Sequence, residues 1–105
     1  MGQREIPIAC TLSDEAYRAR RREVRDLMRA SARAVREEPD GFALRFDRDV
    51  ETVRMLGELI AFESGCCGFL RFDLRVGPEG EPVWLTIGGS PEAKDFVRGV
   101  VTAVA

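Results

Sequence analysis

The 105 residues carry 16 basic and 18 acidic side chains, a net charge of -2, and a pI near 5.2. That balance argues against general affinity for nucleic acid or an anionic membrane. The complete absence of histidine removes the commonest general base and the commonest zinc ligand, and many hydrolase schemes go with it.

A chain of this length with 45% hydrophobic residues builds one core, so residues 1–105 read as a single α+β domain. The first residues lack the basic and apolar regions of a signal peptide, and no apolar run approaches the roughly 18 residues of a membrane span. A cytoplasmic protein with no membrane partner is the expectation. In a reducing compartment three cysteines, an odd number, point to buried filler, metal ligands or redox groups rather than a disulfide framework.

Residues 6–12 form a short apolar run that suits a strand and contains Cys10. Ser13 then offers an N-cap, with Asp14 and Glu15 in a first helical turn. From there Tyr17, Val24, Leu27, Met28 and Ser31 recur near the helical period, while Arg18, Arg20, Arg22, Arg25 and Arg29 fall mostly on the other side. The arginine run at 18–22 is interspersed with Glu15, Glu23 and Asp26 and reads as a solvated face rather than a phosphate site. Glu38-Pro39-Asp40-Gly41 is a turn, and the alternation of Phe42, Leu44 and Phe46 makes residues 32–47 a hairpin.

A second helix fits 49–64, capped by Asp49, with Gly65 where a left-handed C-terminal residue belongs. Leu70, Phe72, Leu74 and Val76, a turn at 77–80, and Val83, Leu85 and Ile87 form a second hairpin. Phe69, Phe72 and Trp84 read as core aromatics. Ser90-Pro91-Glu92 opens a last helix. The expected order is β-α-ββ-α-ββ-α: a mainly antiparallel sheet of four to five strands with helices on one face.

Chemistry concentrates at Glu63-Ser64-Gly65-Cys66-Cys67-Gly68. Two consecutive sulfurs converge on one ion only where the chain turns, and the flanking glycines ease such a turn. A thiol past a helix C-terminus and beside a carboxylate should have a raised pKa, which makes it a poor nucleophile. A soft ion still displaces its proton. Softness selects Hg(II), Cu(I), As(III) or Zn(II), with Cys66 and Cys67 as ligands, Cys10 as a third sulfur and Glu63 as a carboxylate neighbour. Two or three sulfurs suit mercury, cuprous ion or arsenite better than tetrahedral zinc.

Glu63, Cys66-Cys67 and Phe69-Leu70-Arg71-Phe72, together with the pieces around Cys10, Phe42, Phe46 and Trp84, resemble small bacterial proteins with a Glu-x-x-Cys-Cys-x-Phe-Leu-x-Phe signature. Gly68 stands where that pattern has proline. Some of these proteins accompany heavy-metal resistance genes, so the resemblance implies handling of Hg(II) or organomercury. The leading expectation is therefore a heavy-metal-binding protein, with room for a homodimer or a metal-transfer partner. A thiol enzyme, either organomercurial lyase-like or redox, and an interaction module with structural cysteines are its rivals.

Overall fold

The computed structural model describes residues 15–102. The run at 6–12, Cys10 and the Ser13 cap lie outside them, so the first expected strand and the start of the first helix are not part of the fold described below. Along the described chain the order is α1 (Glu15–Ser31), β1 (Ala34–Glu38), β2 (Gly41–Phe46), α2 (Val50–Cys66), β3 (Arg71–Val76), β4 (Val83–Gly88) and α3 (Pro91–Val101). No helix among the described residues is long and apolar enough to cross a membrane.

The four strands form one antiparallel sheet in the order β1-β2-β4-β3. Both hairpins are where alternation and turn chemistry put them, and the second folds back so that β4, not β3, lies beside β2. The reason is visible in the register. Phe42 pairs with Ile87, Leu44 with Leu85 and Phe46 with Val83, so β4 brings three apolar side chains against the three of β2. Since side chains alternate across a strand, these residues share one face, and Phe72 and Leu74 extend it into β3. Leu44, Phe46, Val83 and Leu85 are fully buried. The centre of the sheet is thus its most apolar part, and each such side chain contributes roughly 1.5–3 kcal/mol by leaving water.

All three helices pack on that face. From α1 come Val24 and Met28, from α2 Leu56 and Leu59, and from α3 Val97 and Val101. Two of the helices have clear N-terminal caps: Asp49 accepts from the Thr52 amide at 2.9 Å, and Ser90 from the Ala93 amide at 3.1 Å, with Pro91 in the first turn of α3. Arg29 Nε donates to the Val100 carbonyl at 3.1 Å and ties α1 to α3.

Three local expectations need correction. Tyr17 and Leu27 belong to the apolar stripe by spacing but are 39% and 45% exposed; Tyr17 instead meets Phe62 edge-on, with ring centroids 4.8 Å apart. Trp84 is not core. It pairs in register with Arg45 and Arg75 on the solvent face of the sheet, where the Arg36 guanidinium lies 4.4 Å from its ring centroid. Finally, α2 does not stop at Gly65. It runs through Gly65 to Cys66, and neither Gly65 nor Gly68 has positive φ, a conformation confined to Gly80 and Gly89 among the described residues.

The glycines that the sheet does need are elsewhere. A Cβ on Gly41 would lie 2.1 Å from the Ile87 carbonyl oxygen, and one on Gly88 2.3 Å from that of Asp40. The backbones of β2 and β4 therefore touch where the two strands pair at Gly41 and Gly88.

Candidate thiol site

Extension of α2 by two residues beyond the expected end at 64 decides the geometry around the cysteines. Cys66 is the last helical residue, and Cys67 is the C-cap, its amide donating to the Glu63 carbonyl at 2.6 Å. The chain then turns at once, with the Leu70 amide bonded to the Cys67 carbonyl at 3.1 Å before β3 begins. Hydrogen bonding at the helix end supplies the turn that was expected from left-handed glycine.

Glu63 lies one helical turn before Cys67, on the face of α2 that meets α1. It is the buried charged residue of the described chain, at 5% exposure. A lone carboxylate in such a place would be costly, and two arginines of α1 offset that cost. Arg25 reaches Glu63 Oε1 at 2.7 Å, and Arg21 approaches the same oxygen at 3.3 Å and Oε2 at 3.2 Å. The Arg21 Nε to Oε2 approach is a charge contact without hydrogen-bond alignment, and both atoms are buried with no other hydrogen-bond partner. The carboxylate is held electrostatically on one side and hydrogen-bonded on the other.

Cys67 joins this cluster. Its Sγ lies 3.9 Å from Glu63 Oε1 and 4.0 Å from an Arg21 terminal nitrogen. Burial pushes the Cys67 thiol above its ordinary pKa, and the Glu63 carboxylate adds to the rise; Arg21 and Arg25 pull the other way without reversing it. The protonated thiol is therefore the resting form near neutral pH, as the sequence context implied. Both Cys66 and Cys67 are buried, at 2% and 3% exposure. Their states differ: Cys67 is a free thiol, whereas Cys66 is engaged in a disulfide.

Of the four expected site residues, Glu63 and Cys67 come together, Cys66 directly precedes Cys67 in the chain, and Cys10 lies outside the described residues. No cluster of three or more Cys, His, Asp or Glu side chains suited to a metal occurs among the described residues. A two-donor pocket, one sulfur and one carboxylate oxygen, is what the described part offers a soft ion. Cys66 would add its sulfur on reduction.

Arg21 and Arg25 were expected on a solvated face, and their place in the site is a correction. The signal was present in the spacing: 21, 24, 25 and 28 fall on one helical stripe with the buried Val24 and Met28. Counting arginines as polar hid it. The rest of the arginine run behaves as expected, with Arg18 and Arg22 on Glu15 and Arg20 on Glu23, while Arg20 also forks onto Glu58 of α2 at 2.7 and 2.6 Å. Comparison of the chain with protein-family models, curated proteins and solved structures returns no match, so the case for function is carried by these side chains.

Proposed function

We propose that this chain binds a thiophilic ion, Hg(II) foremost, through Cys67 and the reduced Cys66, with Cys10 as a third sulfur and Glu63 beside them. The observation that carries the reading is the placement of the free Cys67 thiol 3.9 Å from a buried carboxylate, itself clamped by two arginines, in a chain position directly after a second sulfur. Packing alone does not call for such a setting. A cysteine used as filler sits among hydrocarbon, whereas Cys67 touches an ion cluster.

Uptake of Hg(II) by two thiols forms two Hg–S bonds and releases two protons. A raised thiol pKa slows nucleophilic attack but leaves the metal able to drive deprotonation. The two arginines keep the carboxylate oriented and lessen the attraction of the site for hard dications, which supports soft, covalently bound ions over magnesium or calcium.

The test is retention of metal against a competing thiol. Reduced protein is loaded with Hg(II), Cu(I), Zn(II) or arsenite, challenged with excess glutathione and weighed by native mass spectrometry. One Hg(II) per chain is expected to survive, and to be lost in Cys67→Ser and in Cys66→Ser. Metal stripped from the wild type as readily as from either variant would sink the proposal.

The oxidised state of Cys66 next to the free Cys67 favours a second reading, a thiol-disulfide couple. Equilibration in glutathione redox buffers followed by alkylation and mass measurement separates the two. A couple that titrates within the cellular glutathione range supports redox use; a Cys66 disulfide that resists reduction throughout is structural.

A further inference from the structure

Cys66 carries a disulfide, and the chain offers it few partners. There are three cysteines, Cys10, Cys66 and Cys67. Cys66 is disulfide-bonded while Cys67 is a free thiol, so a ring between the two neighbours is excluded. Cys66 is also only 2% exposed, which keeps its sulfur from one on a second copy of the chain. Within one chain, Cys10 is the partner that remains.

The packing of α1 on α2 brings the start of α1 to the same end of the molecule. Leu27 and Ser31, late in α1, flank one surface groove with Glu51, Thr52 and Met55, early in α2. Tyr17, early in α1, meets Phe62, late in α2. The two helices are therefore antiparallel, and α1 begins beside the end of α2. Cys66 lies four residues after Phe62, one helical turn or about 6 Å further along the same stripe. Cys10 precedes Glu15, the first residue of α1, by five residues, a lead that spans up to about 17 Å when extended. A disulfide asks for Cα atoms within roughly 7 Å, and a lead of that length can supply it.

We propose that Cys10 and Cys66 form a disulfide that pins the segment before α1 to the end of α2, and that its reduction leaves three thiols, Cys10, Cys66 and Cys67, at one helix end beside Glu63. Formation is an exchange with glutathione disulfide. The two cysteine thiols give up two protons and two electrons, one protein S–S bond forms, the glutathione S–S bond breaks, and two glutathione thiols leave. Two glutathione thiols reverse it. The bond closes the long loop from residue 10 to residue 66, so the oxidised chain has less freedom to lose on folding. The pairing itself does not depend on metal; only its consequence, a third sulfur in reach of an ion, rests on the metal-binding reading.

Peptide mapping without reduction tests the pairing. Full-length protein is equilibrated with glutathione disulfide, denatured, alkylated with iodoacetamide and digested with trypsin. Cleavage after Arg4, Arg18, Arg54 and Arg71 leaves Cys10 in peptide 5–18 and the other two cysteines in peptide 55–71. The two peptides are expected as one linked species, with the alkyl group on Cys67. The link should persist in Cys67→Ser and vanish in Cys10→Ser. The oxidised wild type should melt at least about 5 °C above its reduced form, a difference that Cys10→Ser removes.

Peptide 55–71 closed on itself, a dimer that reduction dissolves, or three alkylated cysteines after oxidation each overturns the pairing. Equal melting of the oxidised and reduced wild type overturns the pinning. Failure to retain Hg(II) with the link intact would count against the metal-binding reading and leave the disulfide standing.

Discussion

Glu63 shows how one side chain can be both a stability element and a site residue. Its burial is tolerated because Arg21 and Arg25 close on it, so removal of the negative charge strands two partly buried guanidiniums. Glu63→Gln is expected to cost about 3 kcal/mol in denaturant unfolding, the range for breaking a buried pair from one side. Replacement of all three by apolar residues, Arg21→Leu, Glu63→Met and Arg25→Leu, should recover most of that loss. If the triple replacement unfolds more readily than Glu63→Gln, the arginines stabilise by something other than neutralising this carboxylate.

Cys67 gives a prediction in pH. Its folded-state pKa is raised, so the stabilising contribution is fully present below the unfolded thiol value and is lost as pH rises through the folded one. The native protein should therefore lose stability above about pH 9 in a manner that Cys67→Ser removes. In parallel, alkylation of Cys67 by iodoacetamide should stay slow at pH 7 to 8 and accelerate only in the alkaline range. Rapid alkylation at neutral pH would mean that the arginines, not burial and Glu63, dominate the thiol.

At the scale of elements, α2 turns on a glycine that does not do what its position suggested. Gly65 sits inside the helix, without positive φ and with open space where a Cβ would go. Gly65→Ala should thus stabilise the protein by about 0.5–1 kcal/mol and leave Glu63 and Cys67 in place. A left-handed Gly65 would give the opposite sign, so a thermal melt decides. By contrast Gly41→Ala and Gly88→Ala drive a methyl into the facing strand's backbone and should disrupt the β2–β4 pairing. At the start of the same helix, Asp49→Ala removes a side-chain cap and is expected to cost about 1 kcal/mol.

For the whole molecule, the sheet order puts β2 and β4 in the centre, and the helices cover their apolar face. Amides of β2 and β4 should accordingly exchange most slowly with solvent, near the rate set by global unfolding, while those of β1 and β3, the outer two of the four described strands, exchange sooner. The cysteines close α2 where it hands over to β3, an outer strand among those described. Metal loading of the pair or reduction of Cys66 should therefore alter exchange at the end of α2 and in β3 before it alters the centre.

The helices, the two hairpins and the caps at Asp49 and Ser90 were legible because each follows from local rules: period, turn residues and an oxygen facing free amides. The cysteine pair and Glu63 also stood out by residue type alone. What local rules cannot supply is which elements become neighbours. Only the packing of α1 on α2 brought Arg21 and Arg25 to Glu63, which turned an apparent solvated helix face into a buried ion cluster. Only the insertion of β4 between β2 and β3 set Arg45 and Arg75 on either side of Trp84. Sequence patterns fix what each segment can form, since propensity and capping act within a few residues. Contacts between distant segments are decided by the burial of the common core, and the Glu63 cluster is made of such contacts.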